Sequence, residues 1–204
     1  MAAAGRPVVI LAVGGGIAAY KSAALCSRLV QSGYEVRVAM TSSATEFVGP
    51  ATFAALSGQP VATGSFAPSQ WPLGPHIELA GGAQRADADL LIVAPATANL
   101  LGQFAHGIAI DLVTTLYLQV ACPVLLAPAM SQIMWAKPAV QRNIQQLRDD
   151  GCHFVGPEQG WLSCRQSGSG RMSEPETIAQ ACDALLKAER ERREQDARAA
   201  DERC

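Results

Sequence analysis

Four short, largely aliphatic runs at wide intervals constrain this chain more than any other feature. They are "PVVILAV" (7–13), "EVRVAM" (35–40), "LLIVAP" (90–95) and "PVLLAP" (123–128). Each is too short for a buried helix and rich in the residues that suit strands covered on both faces. "HFV" (153–155) adds a short final strand. Helical stretches separate them. One spans 17–31 and is closed by Gly33, and the longest cover 137–150 and 174–187. In the last of these Ile178, Cys182 and Leu185 share one face at i, i+4, i+7 spacing. Strand–helix alternation with short links predicts a parallel, doubly wound α/β sheet in a three-layer α/β/α sandwich.

A chain of 204 residues with 49% hydrophobic and 17% charged content suits one domain with a full core. That domain is expected over 1–187, and 188–204 reads as a charged helical extension or frayed tail. A formal net charge of −2 gives no reason to expect a nucleic-acid partner. No apolar stretch reaches the ~20 residues that cross a bilayer. "MAAAGRP" is too short before the first strand for an export signal, so the cytoplasm is the expected location. Six scattered cysteines without a C-x-x-C pair argue against a zinc site and a disulfide scaffold. Cys26, Cys122 and Cys182 lie in apolar segments and read as small core residues. Cys164 differs, lying in "WLSCRQSGSGRM" among polar and glycine neighbours, which reads as a mobile loop.

In a doubly wound sheet ligands bind beyond the carboxyl ends of the strands. The first such loop, "GGGIAAYKS", matches G-x-G-x-x-G/A through Gly14, Gly16 and Ala19. The acidic ribose ligand expected at the end of the second strand is replaced by Met40, Thr41 and Ser42, which disfavours NAD. A P-loop is nearly matched by Lys21 and Ser22, but Tyr20 stands where its last glycine belongs. What remains is an anion site on glycine amides at a helix start. "MTSSA", "APATANL" and "APAMSQIMW" follow the other strands, with hydroxyls and an amide that suit either helix caps or a polar ring around a flat, phosphorylated ligand.

The ordered set "GGGIAAYKS", "PHIELA", "APATANL", "PAMSQIMW" and "SCRQSGSGRM" resembles the FMN-containing cysteine decarboxylases over about residues 7–187. Within that family it is most similar to the branch that acts on phosphopantothenoylcysteine in coenzyme A biosynthesis. The resemblance implies a flavodoxin/Rossmann-like fold, FMN at a subunit interface, and trimers or multiples of three. Some relatives carry a second, ligase domain, for which this chain is too short.

By the same resemblance, Gly15, Gly16 and Ile17 hold the FMN phosphate and Ser42 assists. Ala96, Thr97 and Asn99 line the flavin and a neighbouring subunit's substrate. His76 matches the active-site histidine, although Pro75 replaces a glycine before it, and without the family match it could simply open an edge strand. Met130, Ser131 and Trp135 fall in the substrate clamp, where Ser131 replaces an asparagine whose amide is expected to grip the carboxylate. Cys164 matches the reactive cysteine of the flap, and Arg171 is a candidate for the substrate phosphate. Asp111 matches an acid near the flavin, with Ile110 in place of a polar neighbour. Gly14 stands where the family carries Ser or Thr. Two other readings stay open: a decarboxylase of peptide C-terminal cysteines, and a non-catalytic FMN-binding paralogue.

Overall fold

The computed structural model describes residues 6–66, 69–81 and 87–201. Six strands, β1 (Val8–Val13), β2 (Glu35–Met40), β3 (Val61–Ala62), β4 (Leu90–Ala96), β5 (Val124–Pro128) and β6 (His153–Phe154), form one parallel sheet. Its order is β3-β2-β1-β4-β5-β6, so the chain reverses its winding between β1 and β4. That reversal opens a crevice at the carboxyl ends of the two central strands. The expected flavodoxin/Rossmann-like three-layer sandwich is the fold observed.

Double-sided burial explains why the central strands read so clearly. In β1, Val9, Leu11 and Val13 enter the core on one face. Val8, Ile10 and Ala12 enter the other. Alternate residues of β4 divide in the same way, with Ile92 on the first face and Leu91 and Val93 on the second. The helices α1 (Ala19–Gln31), α2 (Ser42–Thr45) and α3 (Pro50–Ser57) follow β1 and β2. The next three are α4 (Pro75–Ala80), α5 (Ala98–Ala105) and α6 (Leu112–Gln119). They are followed by α7 (Gln132–Trp135), α8 (Pro138–Asp149) and α9 (Pro175–Asp201). Leu25, Cys26 and Leu29 of α1 join Ile178 and Cys182 of α9 over the first face. Leu100 and Phe104 of α5, Leu116 of α6 and Ile144 of α8 cover the second.

One reading changes. The segment taken as a mobile loop is an antiparallel hairpin, β7 (Glu158–Trp161) with β8 (Ser167–Arg171). It has no apolar alternation because backbone contacts hold it. Met130 N–H donates to the Gly170 carbonyl at 2.9 Å. A Cβ at Gly170 would overlap the Met130 carbonyl, and one at Gly168 would overlap the Gln132 side chain. The charged tail continues α9 as helix to Asp201, and Arg193 Nη1 lies 3.6 Å from Asp89 Oδ1. Cys204 and residues 1–5 lie outside the described residues. Among the described residues no helix is long and apolar enough to cross a membrane.

Candidate functional site

A cavity of about 740 Å³ opens at the carboxyl ends of the central strands. This is within the range of small-molecule and cofactor sites. Its floor is the β1–α1 turn. The N–H groups of Gly15, Gly16, Ile17 and Ala18 find no acceptor among the described residues, and Ala19 N–H already turns back to the Gly16 carbonyl at 2.9 Å. Four free donors at the start of a 13-residue helix make an anion cradle. A Cβ at Gly15 would overlap Ser43, so only glycine lets this turn lie against the start of α2. At Gly16 the nearest side-chain atom to such a Cβ is Thr97 Cγ2 at 3.8 Å, so glycine there leaves space for a ligand.

The polar ring resolves into three helix caps. Thr41 Oγ1 accepts from Ala44 N–H at 3.1 Å, Thr97 Oγ1 from Leu100 N–H at 3.3 Å, and Ser131 Oγ from Met134 N–H at 3.4 Å. The caps aim the starts of α2, α5 and α7 at one space, which Ser42, Ser43, Asn99, Met130 and Ser131 line. Capping and ligand binding are therefore not rival readings of these loops, since the caps create the donor-rich wall. Asp111 also lines the cavity and caps α6 through a reciprocal pair, its Oδ1 accepting from Thr114 N–H at 2.8 Å. Ile110 beside it is exposed.

The β7–β8 hairpin forms the remaining wall. Leu162 is buried at the base of its turn, where its N–H donates to the Gln166 carbonyl at 2.8 Å. Ser163, Cys164 and Arg165 are exposed beyond it, with Arg165 at φ 62°. Cys164 thus stands at the hairpin tip and faces the cavity with Trp161. Arg171 lines the same space, and its guanidinium pairs with Glu174. Burial pushes the thiols of Cys26 and Cys122 up to about 11 and that of Cys182 to about 12. Cys26 and Cys182 are buried in the core, as the sequence indicated, whereas Cys122 is only half-buried against the second face.

The cavity brings together Gly15, Gly16, Ile17, Ser42, Thr97, Asn99, Met130, Ser131, Cys164 and Arg171 of the expected set. It does not include three others, Ala96, His76 and Trp135. Ala96 is fully buried in β4, where its carbonyl accepts from Ala129 N–H at 3.1 Å. His76 is half-buried in the first turn of α4, a helix rather than an edge strand, and does not line the cavity of a single chain. Trp135 packs against the core beneath α7. Sequence reasoning missed Lys21 as part of this wall. Its ammonium is buried and donates to the Met172 carbonyl and to Glu174 Oε1, each at 2.9 Å. The near P-loop match was the available signal, but it pointed to the wrong partner.

A ligand that fits this lining is flat and carries an anionic group, with the anion on the glycine turn and the flat part between the capped helix starts and the hairpin.

The sequence pattern of the Flavoprotein family matches residues 3–187. The chain is 49% identical over 170 residues to the coenzyme A biosynthesis bifunctional protein CoaBC of Bacillus subtilis, covering 83% of this chain and 41% of that protein. It is 47% identical over 178 residues to CoaBC of Mycobacterium tuberculosis, again 41% of that protein. The chain therefore spans less than half the length of these curated relatives. Among solved structures, a PPC decarboxylase mutant complexed with pantothenoylaminoethenethiol superposes with a TM-score of 0.76 at 29% identity. That match covers 89% of this chain and 99% of the other. The FMN-dependent cysteine decarboxylase SpaF gives 0.71 at 30% identity over 89% and 96%.

Proposed function

The chain belongs to the Flavoprotein family, and on that premise we propose that it binds FMN and decarboxylates phosphopantothenoylcysteine to 4′-phosphopantetheine in coenzyme A biosynthesis, a carboxy-lyase reaction of the cytoplasm. One observation carries the reading. The free amides of the glycine turn, the three capped helix starts and the cysteine-bearing hairpin surround one cavity. The names of the CoaBC relatives and of the PPC decarboxylase structure support the substrate.

Under this reading the Gly15, Gly16 and Ile17 amides hold the FMN phosphate beside Ser42, while Thr97 and Asn99 border the ring. FMN supplies the two-electron exchange that makes the substrate's thiol-bearing carbon a C=S electron sink and later restores it. The chain's own residues do the rest. Met130 and Ser131 hold the cysteine end of the substrate, with its carboxylate toward the start of α7. Arg171 is the cation available to the substrate phosphate. When CO2 leaves, the electron pair of the broken C–C bond is held as an enethiolate. Cys164, on the exposed hairpin tip, gives a proton to the carbon that lost CO2, which returns the enethiolate to the C=S form, and becomes a thiolate. This use of Cys164 favours phosphopantothenoylcysteine over a peptide C-terminal cysteine, whose decarboxylation can stop at the enethiol.

His76 is the proposed acid–base partner of the substrate thiol. Because it lies off the single-chain cavity, it serves a neighbouring subunit's site in this proposal. Exposed Ile17, Tyr20, Ile133 and Met134 around the rim supply apolar surface for such an interface. A homotrimer, or a multiple of three, is the proposed assembly.

The test is direct. Purified chain loaded with FMN is incubated with phosphopantothenoylcysteine, and CO2 and the thiol product are followed by mass spectrometry. Loss of 44 mass units, roughly one CO2 per substrate, is expected. FMN-loaded protein that leaves the substrate unchanged would turn the reading toward a non-catalytic flavin-binding paralogue.

A further inference from the structure

Asn99 and Gln103 lie one turn apart on α5, and Gln103 Nε2 donates to Asn99 Oδ1 at 3.1 Å. Their surroundings differ. Asn99 is exposed on the cavity wall, whereas Gln103 is 9% exposed, with its Oε1 buried and unpartnered among the described residues.

The pair has two self-consistent orientations. In the observed one Gln103 donates, Asn99 Oδ1 is occupied, and one carbonyl oxygen of Gln103 is left without a partner. In the other both amides are turned over, Asn99 donates to Gln103, and a buried NH2 is left with no acceptor. Unpaired buried N–H groups are rarer than under-satisfied carbonyl oxygens, so the observed orientation is the cheaper. It occupies the only acceptor of the Asn99 side chain and leaves its NH2 free, since Asn99 Nδ2 has no protein acceptor among the described residues.

We propose that Gln103 is a positioning residue that locks Asn99 as a hydrogen-bond donor to the cavity. The site thereby selects an acceptor oxygen, a ring carbonyl or a carboxylate, at that point of its ligand. Asn99 without Gln103 would rotate and present oxygen as readily as nitrogen. This rests on the FMN reading for the identity of the ligand, but the amide geometry does not depend on it.

Two variants and one background separate the role from packing. Gln103→Met keeps the volume and removes the amide, freeing Asn99 to rotate. Gln103→Glu, assayed above the pH at which its buried carboxyl ionises, can only accept and turns Asn99 Oδ1 toward the cavity. With FMN as the probe, flavin fluorescence quenching in apo-protein and steady-state kinetics with phosphopantothenoylcysteine are measured together. Gln103→Glu is expected to weaken FMN binding or raise KM by about tenfold and Gln103→Met by a few-fold, with kcat changed less than either. Both effects should vanish in an Asn99→Ala background, because the two residues then no longer share a role. Equal affinities and KM values in all three proteins, or effects that persist in Asn99→Ala, would overturn the proposal.

A separate readout works even if FMN is not the ligand. In the free protein the Gln103 side-chain NH2 resonances should exchange slowly with water and shift on Asn99→Ala. Fast exchange with no shift would refute the lock, whereas a shift in a protein that takes up no FMN would uphold it and refute the cofactor reading.

Discussion

Lys21 Nζ lies 2.9 Å from Glu174 Oε1 and 2.9 Å from the Met172 carbonyl, joining the first helix to the end of the hairpin 151 residues later. Glu174 also pairs with Arg171, so one carboxylate holds both cations of this wall. The Lys21 hydrogen bond is the main cause that keeps the Glu174 carboxyl below its ordinary range. A depressed carboxylate stabilises the fold at neutral pH and loses that contribution as pH falls through its folded value. Stability should therefore drop as acid is added below the ordinary carboxylate range, and Glu174→Gln should flatten that part of the profile. Lys21→Met removes hydrogen bonds to and from charge, which cost about 2 kcal/mol. For a chain of this size that lowers Tm by about 4–8 °C, readable by calorimetry.

Cys164 is exposed, whereas Cys26, Cys152 and Cys182 are buried. With the Cys26 thiol raised to about 11 and Cys182 to about 12, few thiolates form in the core at pH 8. Brief alkylation at that pH, followed by peptide mapping, should modify Cys164 and leave those three until the protein is unfolded. Rapid labelling of Cys26 in folded protein would contradict the packing of α1 against α9.

If Cys164 gives only the last proton, Cys164→Ser should still release CO2 while the product accumulates as the enethiol. Mass spectrometry resolves this, because the enethiol is two hydrogens lighter than the saturated thiol. Undiminished saturated thiol would make the hairpin tip a bystander.

Gly14, where Ser or Thr was expected, is explained by the approach of β1 to β4. A Cβ there would overlap the Pro95 carbonyl and lie 2.8 Å from Leu100 Cδ1. A serine would add its hydroxyl only by forcing these strands apart. Overpacking of this kind costs about 1–3 kcal/mol. Gly14→Ser should therefore lower Tm without improving FMN affinity, and tighter FMN binding at unchanged Tm would refute the steric account.

What the sequence revealed, and what it hid, follows from where each element gets its stability. β1, β2, β4 and β5 were legible because burial on both faces demands continuous aliphatic runs. The two-residue β3 and β6 carry too little pattern, although "HFV" was read as a short final strand. The hairpin was illegible because glycines and backbone bonds to the α7 segment hold it, and these leave no periodicity. In the site, the glycine turn and the capped loops were visible as local chemistry. The pairing of Lys21 with Glu174 was not, since nothing near either residue names a partner so distant in sequence. His76 was identified by resemblance alone, and its place on α4 was hidden by Pro75, which suits the first turn of a helix as well as an extended segment.

Ser131 is the remaining departure, and the structure gives it a second task. Its hydroxyl caps α7 at 3.4 Å, a long bond that leaves it weakly committed. Asparagine caps helices as well as serine does, so Ser131→Asn should keep Tm within about 1 °C of the parent. Its amide adds two N–H donors on a longer arm, directed to the same wall as Met130 and Cys164. If the cavity holds the substrate carboxylate near α7, one new hydrogen bond to that charge is worth about 1.5–3 kcal/mol. Each ~1.4 kcal/mol is a factor of ten, so kcat/KM for phosphopantothenoylcysteine should rise by roughly tenfold or more. Ser131→Ala is the counterpart, losing a weak cap and the only side-chain donor at that position. Its kcat/KM should fall while Tm drops by no more than about 2 °C. The opposite ordering, with asparagine less active than serine at equal stability, would mean that the pocket is shaped around the shorter side chain and that the carboxylate is held elsewhere.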